Sequence, residues 1–182
     1  MIVVLGIDPG FAAIGLATVR IDAEGETPLF LEVVHTEKVA RKTNTLASDD
    51  NLRRAREIAA ALKSILDRIH VVAFAAESMS FPRHAGTAAK IMMAWGVIAA
   101  VSEQNGIPIV QASPQAIKKC LCGVKNASKE DVQGALISRY GDIIERLSHP
   151  LNKADFEHAF DALGAVVATL DSDVIRFARK MV

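Results

Sequence analysis

Residues 1–20, MIVVLGIDPGFAAIGLATVR, place an acidic residue at the end of an otherwise apolar run. The run from Ile2 to Ile7 is apolar on both alternating faces, which is typical of a central strand covered on each side, and Asp-Pro-Gly then favours a turn. A carboxylate at this position is costly unless a partner, a bound cation or exposure at the sheet edge compensates it. The surroundings of Asp8 therefore bear directly on function.

Length and composition limit the classes of protein to consider. The chain has 182 residues, 51% of them hydrophobic, and this size predicts a single domain spanning 1–182. The longest apolar runs fall short of the roughly 20 residues that a membrane span needs, and no basic region precedes the N-terminal run. Cys120 and Cys122 are too close for an ordinary disulfide framework and supply only half of a zinc site. We expect a soluble, cytoplasmic protein with no membrane segment.

The pattern of apolar residues predicts the order of strands and helices. Two strand-like runs, IGLATVR and LFLEVV, follow the first strand and indicate an antiparallel meander. Strands and helices then alternate, with strands predicted at 71–77 and 107–113 and helices at 48–69, 86–106, 114–123, 128–141 and 152–172. The fold class predicted is α/β, a mixed five-stranded sheet whose first three strands are antiparallel and whose later strands belong to parallel βα units, flanked by helices.

Three acidic residues stand out because their neighbours are apolar: Asp8, Glu77 and Asp161. If the first and fourth strands are parallel neighbours, their C-terminal ends bring Asp8 and Glu77 to one edge of the sheet. His158 and Asp161 are three residues apart on one predicted helix, so both project from the same face. Crowded carboxylates repel each other unless cations such as Mg²⁺ or Mn²⁺ neutralise them, and two such ions can promote hydrolysis of a phosphodiester.

Each of these residues also has an ordinary structural explanation. An isolated Asp at a strand end is more often a turn or cap residue than a catalytic one. A histidine such as His158 on an apolar helix is more often a partly buried hydrogen-bonding partner than a ligand. We interpret Asp155 and Glu157 as acidic residues that keep the helix soluble. It is the joint pattern of four residues that favours a metal site.

Three sequence features occur in a fixed order: GIDPG followed by four residues and Gly15, a strand that ends in Glu77, and HAFDALGAV near the C-terminus. Together they resemble the RuvC-type Holliday-junction resolvases. The similarity spans nearly the whole chain, and the family pattern fits the sequence without a gap from Glu77 through Thr87 to Gly96. The resemblance implies an RNase H-like fold, a homodimer that holds a four-way DNA junction, and paired symmetric nicks made by a divalent-metal mechanism. It leaves open a branch-migration complex as a further partner.

Carried over by position, the resemblance assigns a catalytic and metal-binding set for two Mg²⁺ or Mn²⁺ ions. That set is Asp8, Glu77, His158 and Asp161. The family often has Asp where this chain has His158, and the imidazole lowers the negative charge of the site, which favours Mn²⁺ over Mg²⁺. Lys118 and Lys129 fall at lysine positions of the family and are predicted to contact the phosphates near the scissile bond. Ordinary solvated helix charge is the alternative for either lysine.

Phe81, Arg83 and Lys90 complete the predicted DNA-binding residues. The family places an aromatic wedge near here, but in the gapless register Ser80 holds that position and Phe81 follows it, so Phe81 is either a displaced wedge or a core residue. The zero net charge argues against a strongly basic nucleic-acid binder. Locally basic segments, at 82–90, 117–129 and 176–180, can still form a positive face. We expect weaker and more salt-sensitive DNA binding than a basic relative would show.

The sequence raises three alternative functions. The first is a looser structure-selective nuclease of phage or mobile-element type, for which the departures at Phe81 and His158 leave room. The second is a catalytically silent DNA-binding module that keeps the fold, although all four candidate positions hold residues able to bind a metal. The third, an actin-like phosphotransferase, needs two nucleotide-clasping lobes, and the chain is too short for them.

Overall fold

The structure is a computed structural model that describes residues 1–38, 46–79 and 84–181. Within these ranges five strands form a sheet in the order β3-β2-β1-β4-β5. The strands are β1 (Ile2–Asp8), β2 (Ala13–Ile21), β3 (Glu26–His35), β4 (Ala73–Glu77) and β5 (Ile109–Ala112). The first three are antiparallel, and β4 pairs in parallel with both β1 and β5. The predicted mixed sheet is confirmed.

Helices connect and cover the later strands. The described residues form α1 (Ala47–Leu66), α2 (Ala85–Asn105), α3 (Pro114–Cys122), α4 (Lys129–Tyr140), α5 (Asp142–Ser148), α6 (Phe156–Thr169) and α7 (Asp173–Lys180). Five of these helices follow the predicted pattern, whereas α5 and α7 were not predicted. Both are short, of 7 and 8 residues, so an apolar period has little room to show in the sequence.

Several helix boundaries follow capping residues in the sequence. Ser128 caps α4 in a capping box with Asp131, and Gly106 ends α2 in the left-handed conformation with φ of 63°. Helix α1 begins without a side-chain cap. The cap position is Leu46, which makes no side-chain hydrogen bond, and the acidic residues Asp49 and Asp50 instead lie in the first turn, where the helix dipole favours them.

The two faces of the sheet carry two separate apolar cores. Val4 and Ala75 pack in a cluster with α4, α5, α6 and α7, whereas Leu5 packs on the opposite face with α1 and α2. Side chains alternate between faces along a strand, so Asp8 and Glu77 fall on the same face as Val4 and Ala75. Both acidic side chains therefore point toward the layer that contains α6.

Two glycines allow α6 to lie very close to the sheet. A Cβ atom added to Gly15 would lie 2.0 Å from the carbonyl oxygen of His158, and one added to Gly6 would lie 2.2 Å from that of Ala162. Neither distance is sterically possible, so a larger residue at either position would push α6 outward. Because β1 and β2 pair Asp8 with Gly15, this close approach brings His158 next to Asp8.

The long helix α2 is more exposed than its composition suggests. It is the only helix in the described part of the chain that is long and apolar enough to cross a membrane, and core helices pass the same test. Trp95 and Ile98 pack in the core with α1 and the sheet, but only 28% of its most apolar window is buried, and Met92 is 54% exposed. The expectation of no membrane segment stays a prediction.

Candidate active site

Four candidate side chains meet beyond the C-terminal ends of β1 and β4. Asp8 and Glu77 are the last residues of these strands, and the parallel register that pairs Ile7 with Ala76 places the two strand ends side by side. The overlying helix α6 contributes His158 and Asp161 from its first two turns. All four side chains are partly buried. The structure thus brings together the four residues that the sequence proposes as the catalytic set.

His158 is oriented by Asp8. Its Nδ1 lies 2.7 Å from Oδ2 of Asp8 and donates a hydrogen bond there, since an ionised carboxylate only accepts. This hydrogen bond raises the pKa of His158, and burial acts in the opposite direction. When the ring is neutral, the same hydrogen bond leaves the lone pair on Nε2. His158 can therefore bind a metal or a substrate group through Nε2 while Asp8 fixes the ring.

The carboxyl groups of Glu77 and Asp161 are destabilised in their charged forms. Burial raises the pKa of Glu77 to about 7, and the charges of Asp8 and Asp161 add to this effect. Burial likewise raises the pKa of Asp161 to about 7, with Asp8 and Glu157 as the next causes. These are the shifts expected where desolvation and like charges act together. Such shifts are common at functional sites.

The donor types of this site fit a hard divalent cation. Carboxylate oxygens and an imidazole nitrogen are ligands that Mg²⁺ and Mn²⁺ accept, and a cation would offset the repulsion that raises the pKa values of Glu77 and Asp161. In residues 1–38, 46–79 and 84–181, no three His, Cys, Asp or Glu side chains are already arranged to hold a metal ion. The chemistry of the donors supports the predicted metal site, and its ligand set stays a prediction.

A cleft beside the carboxylates contains both predicted lysines. Its volume is about 250 Å³, and its lining includes Glu77, Asp161, Lys118 and Lys129. The positive charge of Lys118 favours the ionised form of Glu77, although the burial of Glu77 has the larger effect. The structure therefore places Lys118 and Lys129 where they can contact a phosphate held at the carboxylates.

Glu157 also lines this cleft, and the sequence interpretation missed its position. Its charge raises the pKa values of Glu77, His158 and Asp161, so its carboxylate faces the same site. It forms an ion pair with Lys129. Helical spacing could have revealed it, because Glu157 and Asp161 are four residues apart and share one face of α6.

Asp155 is a second residue that the sequence interpretation misjudged. It is only 6% exposed, so it does not act as a solubilising surface charge. Its Oδ1 lies 2.7 Å from Nε2 of His35, and Nδ2 of Asn152 donates a hydrogen bond to its Oδ2 at 2.8 Å. These contacts tie the start of α6 to the end of β3. Asp155 therefore helps to position the helix that bears His158 and Asp161.

The other predicted DNA contacts lie elsewhere or outside the described residues. Lys90 belongs to the second turn of α2 and does not line the carboxylate cleft. Its pKa is lowered, mainly by the nearby positive charge of Lys38. Phe81 and Arg83 lie outside the described residues, so their predicted roles as wedge and DNA contact stay predictions.

The sheet order and the acidic strand ends place this chain in the RNase H-like class of α/β folds. A family model, Crossover junction endodeoxyribonuclease RuvC, matches residues 4–168. The RuvC of Thermus thermophilus is 31% identical over 165 residues, which cover 88% of this chain and 95% of the relative. That of Moorella thermoacetica is 28% identical over 152 residues, or 84% of each chain. The chain belongs to the RuvC family of crossover junction endodeoxyribonucleases.

Solved structures agree with this assignment. A structure of T. thermophilus RuvC in complex with Holliday junction substrate has a TM-score of 0.74 and 26% identity, and the match covers 100% of this chain and 97% of that one. The yeast mitochondrial Holliday junction resolvase Ydc2 has a TM-score of 0.61 at 14% identity, covers 98% of this chain and 83% of its own, and supports the fold alone. The predicted family, fold and endodeoxyribonuclease class are confirmed, and the family is generally metal-dependent.

Proposed function

We propose that this protein resolves four-way DNA junctions in recombination and repair, making paired symmetric nicks as a cytoplasmic homodimer. The observation that carries the proposal is the cluster of Asp8, Glu77 and Asp161 beside a cleft that contains Lys118 and Lys129, in a chain of the RuvC family. The T. thermophilus relative, which was solved with a Holliday junction substrate, supports branched DNA as the substrate class.

The carboxylates of the site would hold the divalent cations. Asp8, Glu77 and Asp161 supply oxygen donors, and His158 supplies Nε2 because its Nδ1 is engaged by Asp8. Two bound Mg²⁺ or Mn²⁺ ions would supply an activated water and charge stabilisation for phosphodiester hydrolysis. Asp8 thus has two tasks, as a ligand and as the group that fixes the orientation of the imidazole.

Lys118 is the cation of the cleft that is best placed to meet the scissile phosphate. In the described residues it forms no ion pair within 4 Å, whereas Lys129 is bound to Glu157. A cation near the reacting phosphate stabilises the charge that develops in the transition state. We assign this role to Lys118, and we keep Lys90, Arg83 and Phe81 as further proposed DNA contacts.

The exposed face of α2 is the surface that we assign to the homodimer. Met92 is 54% exposed and Leu52 of the neighbouring helix α1 is 51% exposed. A groove of about 550 Å³ runs between these helices and is lined by residues that include Leu52, Met93 and Gly96. A two-fold interface of this kind presents two active sites to the two strands of a symmetric junction. A contiguous apolar surface of this kind is typical of a protein interface.

A sedimentation experiment tests the homodimer. Met92→Glu places a charge on the α2 face and should shift the protein from dimer to monomer, whereas Met181→Glu changes a more exposed methionine outside this face and should leave the dimer intact. Analytical ultracentrifugation over a range of protein concentrations measures both. Dimerisation that is unaffected by Met92→Glu would refute the α2 interface.

A cleavage experiment tests the proposed function itself. Four-way, three-way and flap DNAs, each labelled on single strands, are incubated with wild type and Asp8→Asn in Mg²⁺ or Mn²⁺. We expect wild type to nick the four-way junction at symmetric positions on opposing strands, and Asp8→Asn to bind without cutting. Comparable cleavage of all three substrates would favour the looser branched-DNA endonuclease. Equal cleavage by Asp8→Asn would remove Asp8 from the catalytic set.

A further inference from the structure

The two lysines of the cleft differ in their counter-ions. Lys129 is paired with Glu157 across the cleft, from the first residue of α4 to the first turn of α6. Lys118, in the middle of α3, has no such pair within the described residues. One of the two cations that DNA would meet is therefore already neutralised by the protein.

The backbone on each side of this ion pair is fixed. At the start of α4, Ser128 and Asp131 form the reciprocal hydrogen bonds of a capping box. At the start of α6, Asp155 is held by His35 and Asn152. The helix ends are thus anchored, and exchange of partners at this pair involves only the two side chains.

The ion pair is accessible and inexpensive to open. The side chain of Lys129 is 63% exposed and that of Glu157 is 39% exposed. Ion pairs in such positions are weak, because water and salt screen them. A DNA phosphate carries the same charge as Glu157 and offers Lys129 an equivalent partner, with release of a counterion from the DNA. The Lys129–Glu157 pair and a Lys129–phosphate pair are therefore close in free energy, so a small change in either pair can shift the exchange.

We infer that Glu157 competes with DNA phosphate for Lys129 and so lowers the affinity of the resting protein for DNA. This inference rests on the proposed function, because it assigns Lys129 to the DNA surface. DNA binding transfers Lys129 from Glu157 to a phosphate, and no covalent bond changes. Glu157 therefore weakens the binding of any DNA whose phosphate must take Lys129 from it. It also stands beside Glu77 and Asp161, so the exchange leaves one more unpaired carboxylate facing the site.

A double-mutant cycle tests the competition. Wild type, Glu157→Gln, Lys129→Gln and the double variant are titrated with a labelled four-way junction and with a labelled duplex, in chelator so that no cleavage occurs. We expect Glu157→Gln to tighten binding by about two- to fivefold, the range that an exposed ion pair corresponds to. We expect this gain to vanish in the Lys129→Gln background, since the two changes are coupled only through the pair.

Glu130→Gln is the matched control, because Glu130 is the neighbour of Lys129 in sequence and influences its charge without bonding to it. It should tighten binding less than Glu157→Gln does, and equally in both lysine backgrounds. Equal gains from Glu157→Gln with and without Lys129 would show general charge removal and overturn the inference, as would the absence of any gain. Because duplex binding reports the competition by itself, a protein that binds duplex but cuts no junction would refute the proposed function and leave this result standing.

Discussion

Two groups of charges lie beyond the same edge of the sheet, on opposite faces, and the protein treats them differently. On the α1 side, Arg54 is only 2% exposed. Its Nε donates a hydrogen bond to Oγ1 of Thr36 at 2.9 Å, its Nη2 donates to the carbonyl of Phe11 at 3.3 Å, and its guanidinium lies 4.5 Å from the centre of the Phe11 ring. Among the described residues, neutral dipoles and an aromatic ring thus stabilise this buried cation, and no acidic side chain pairs with it.

On the α6 side, the carboxylates of Glu77 and Asp161 are surrounded by further carboxylates. Burial, and then the charges of neighbouring carboxylates, raise the pKa values of Glu77 and Asp161 to about 7, so the site destabilises their ionised forms. The Arg54 group is satisfied by residues of the chain, apart from Nη1, which has no hydrogen-bond partner in the described structure. Burial of a charged group therefore does not by itself indicate a functional site. A group of like charges that the chain leaves unbalanced, and that only an external ion can balance, does indicate one.

Gly15→Ala should have the largest effect, because it prevents the close approach of α6 to β2 that brings the carboxylates and His158 together. A methyl group here would lie 2.0 Å from the carbonyl oxygen of His158, so α6 must move away from β2. We expect destabilisation by about 3 kcal/mol and loss of most cleavage activity in the protein that remains folded. Urea denaturation and junction cleavage measure the two effects. Gly25→Ala is the space control, since nothing lies within 4 Å of that position; its φ of 132° adds local backbone strain but no effect on cleavage.

Arg54→Ala should come next, with destabilisation by about 3 kcal/mol from the cavity and from the loss of the hydrogen bonds that Arg54 donates to Thr36 and Phe11, which keep only their bond to each other. The neighbouring Arg53 is the matched control. It is 41% exposed and pairs with Asp50 and Glu57 in water, so Arg53→Ala should destabilise the protein much less than Arg54→Ala does. Urea denaturation compares the two variants. Loss of cleavage by folded Arg54→Ala would break the distinction between a structural and a functional charge.

The sequence predicts the carboxylate site better than it predicts the Arg54 group, for a physical reason. Asp8 and Glu77 end apolar strands, and parallel pairing is enough to bring strand ends together. His158 and Asp161 share a helix face by spacing alone. By contrast, Arg54 looks like one more arginine in an exposed helix, and its burial depends on residues 18 and 43 positions away.

Contacts between distant elements escaped the sequence interpretation in the same way. Asp155 reaches His35 across 120 residues, and Glu157 reaches Lys129 across 28. No local period encodes such pairs, so the sequence alone predicts an ordinary surface charge for each acidic residue. The fold followed from strand and helix periodicity, while the partners of single charges required the tertiary structure.

Asp161→Asn should change stability in the opposite direction from Arg54→Ala. With chelator present at pH 8, the Asp161 carboxylate is held ionised against a pKa raised to about 7 by burial and by Asp8, and the neutral amide removes this cost. We expect stabilisation by about 1 to 2 kcal/mol, a value discounted for solvent screening at a partly exposed site, together with loss of cleavage. Urea denaturation in chelator measures the first effect. A loss of stability under these conditions would show that the carboxylate is already balanced within the chain.

A further expected effect is a pH dependence of stability that separates the two groups. Glu77 and Asp161 have raised pKa values near 7 in the folded protein and ordinary values near 4 when unfolded, so between these pH values the folded state binds more protons. Their contribution to the free energy of unfolding therefore decreases as pH rises from about 4 to 7. Urea denaturation in chelator at several pH values should show this decrease in wild type and in Arg54→Ala, and a flatter profile in Glu77→Gln/Asp161→Asn. Mg²⁺ should reduce the decrease in wild type, because bound cations favour the ionised carboxylates. An identical pH profile in all three proteins would show that Glu77 and Asp161 are not the source of the decrease.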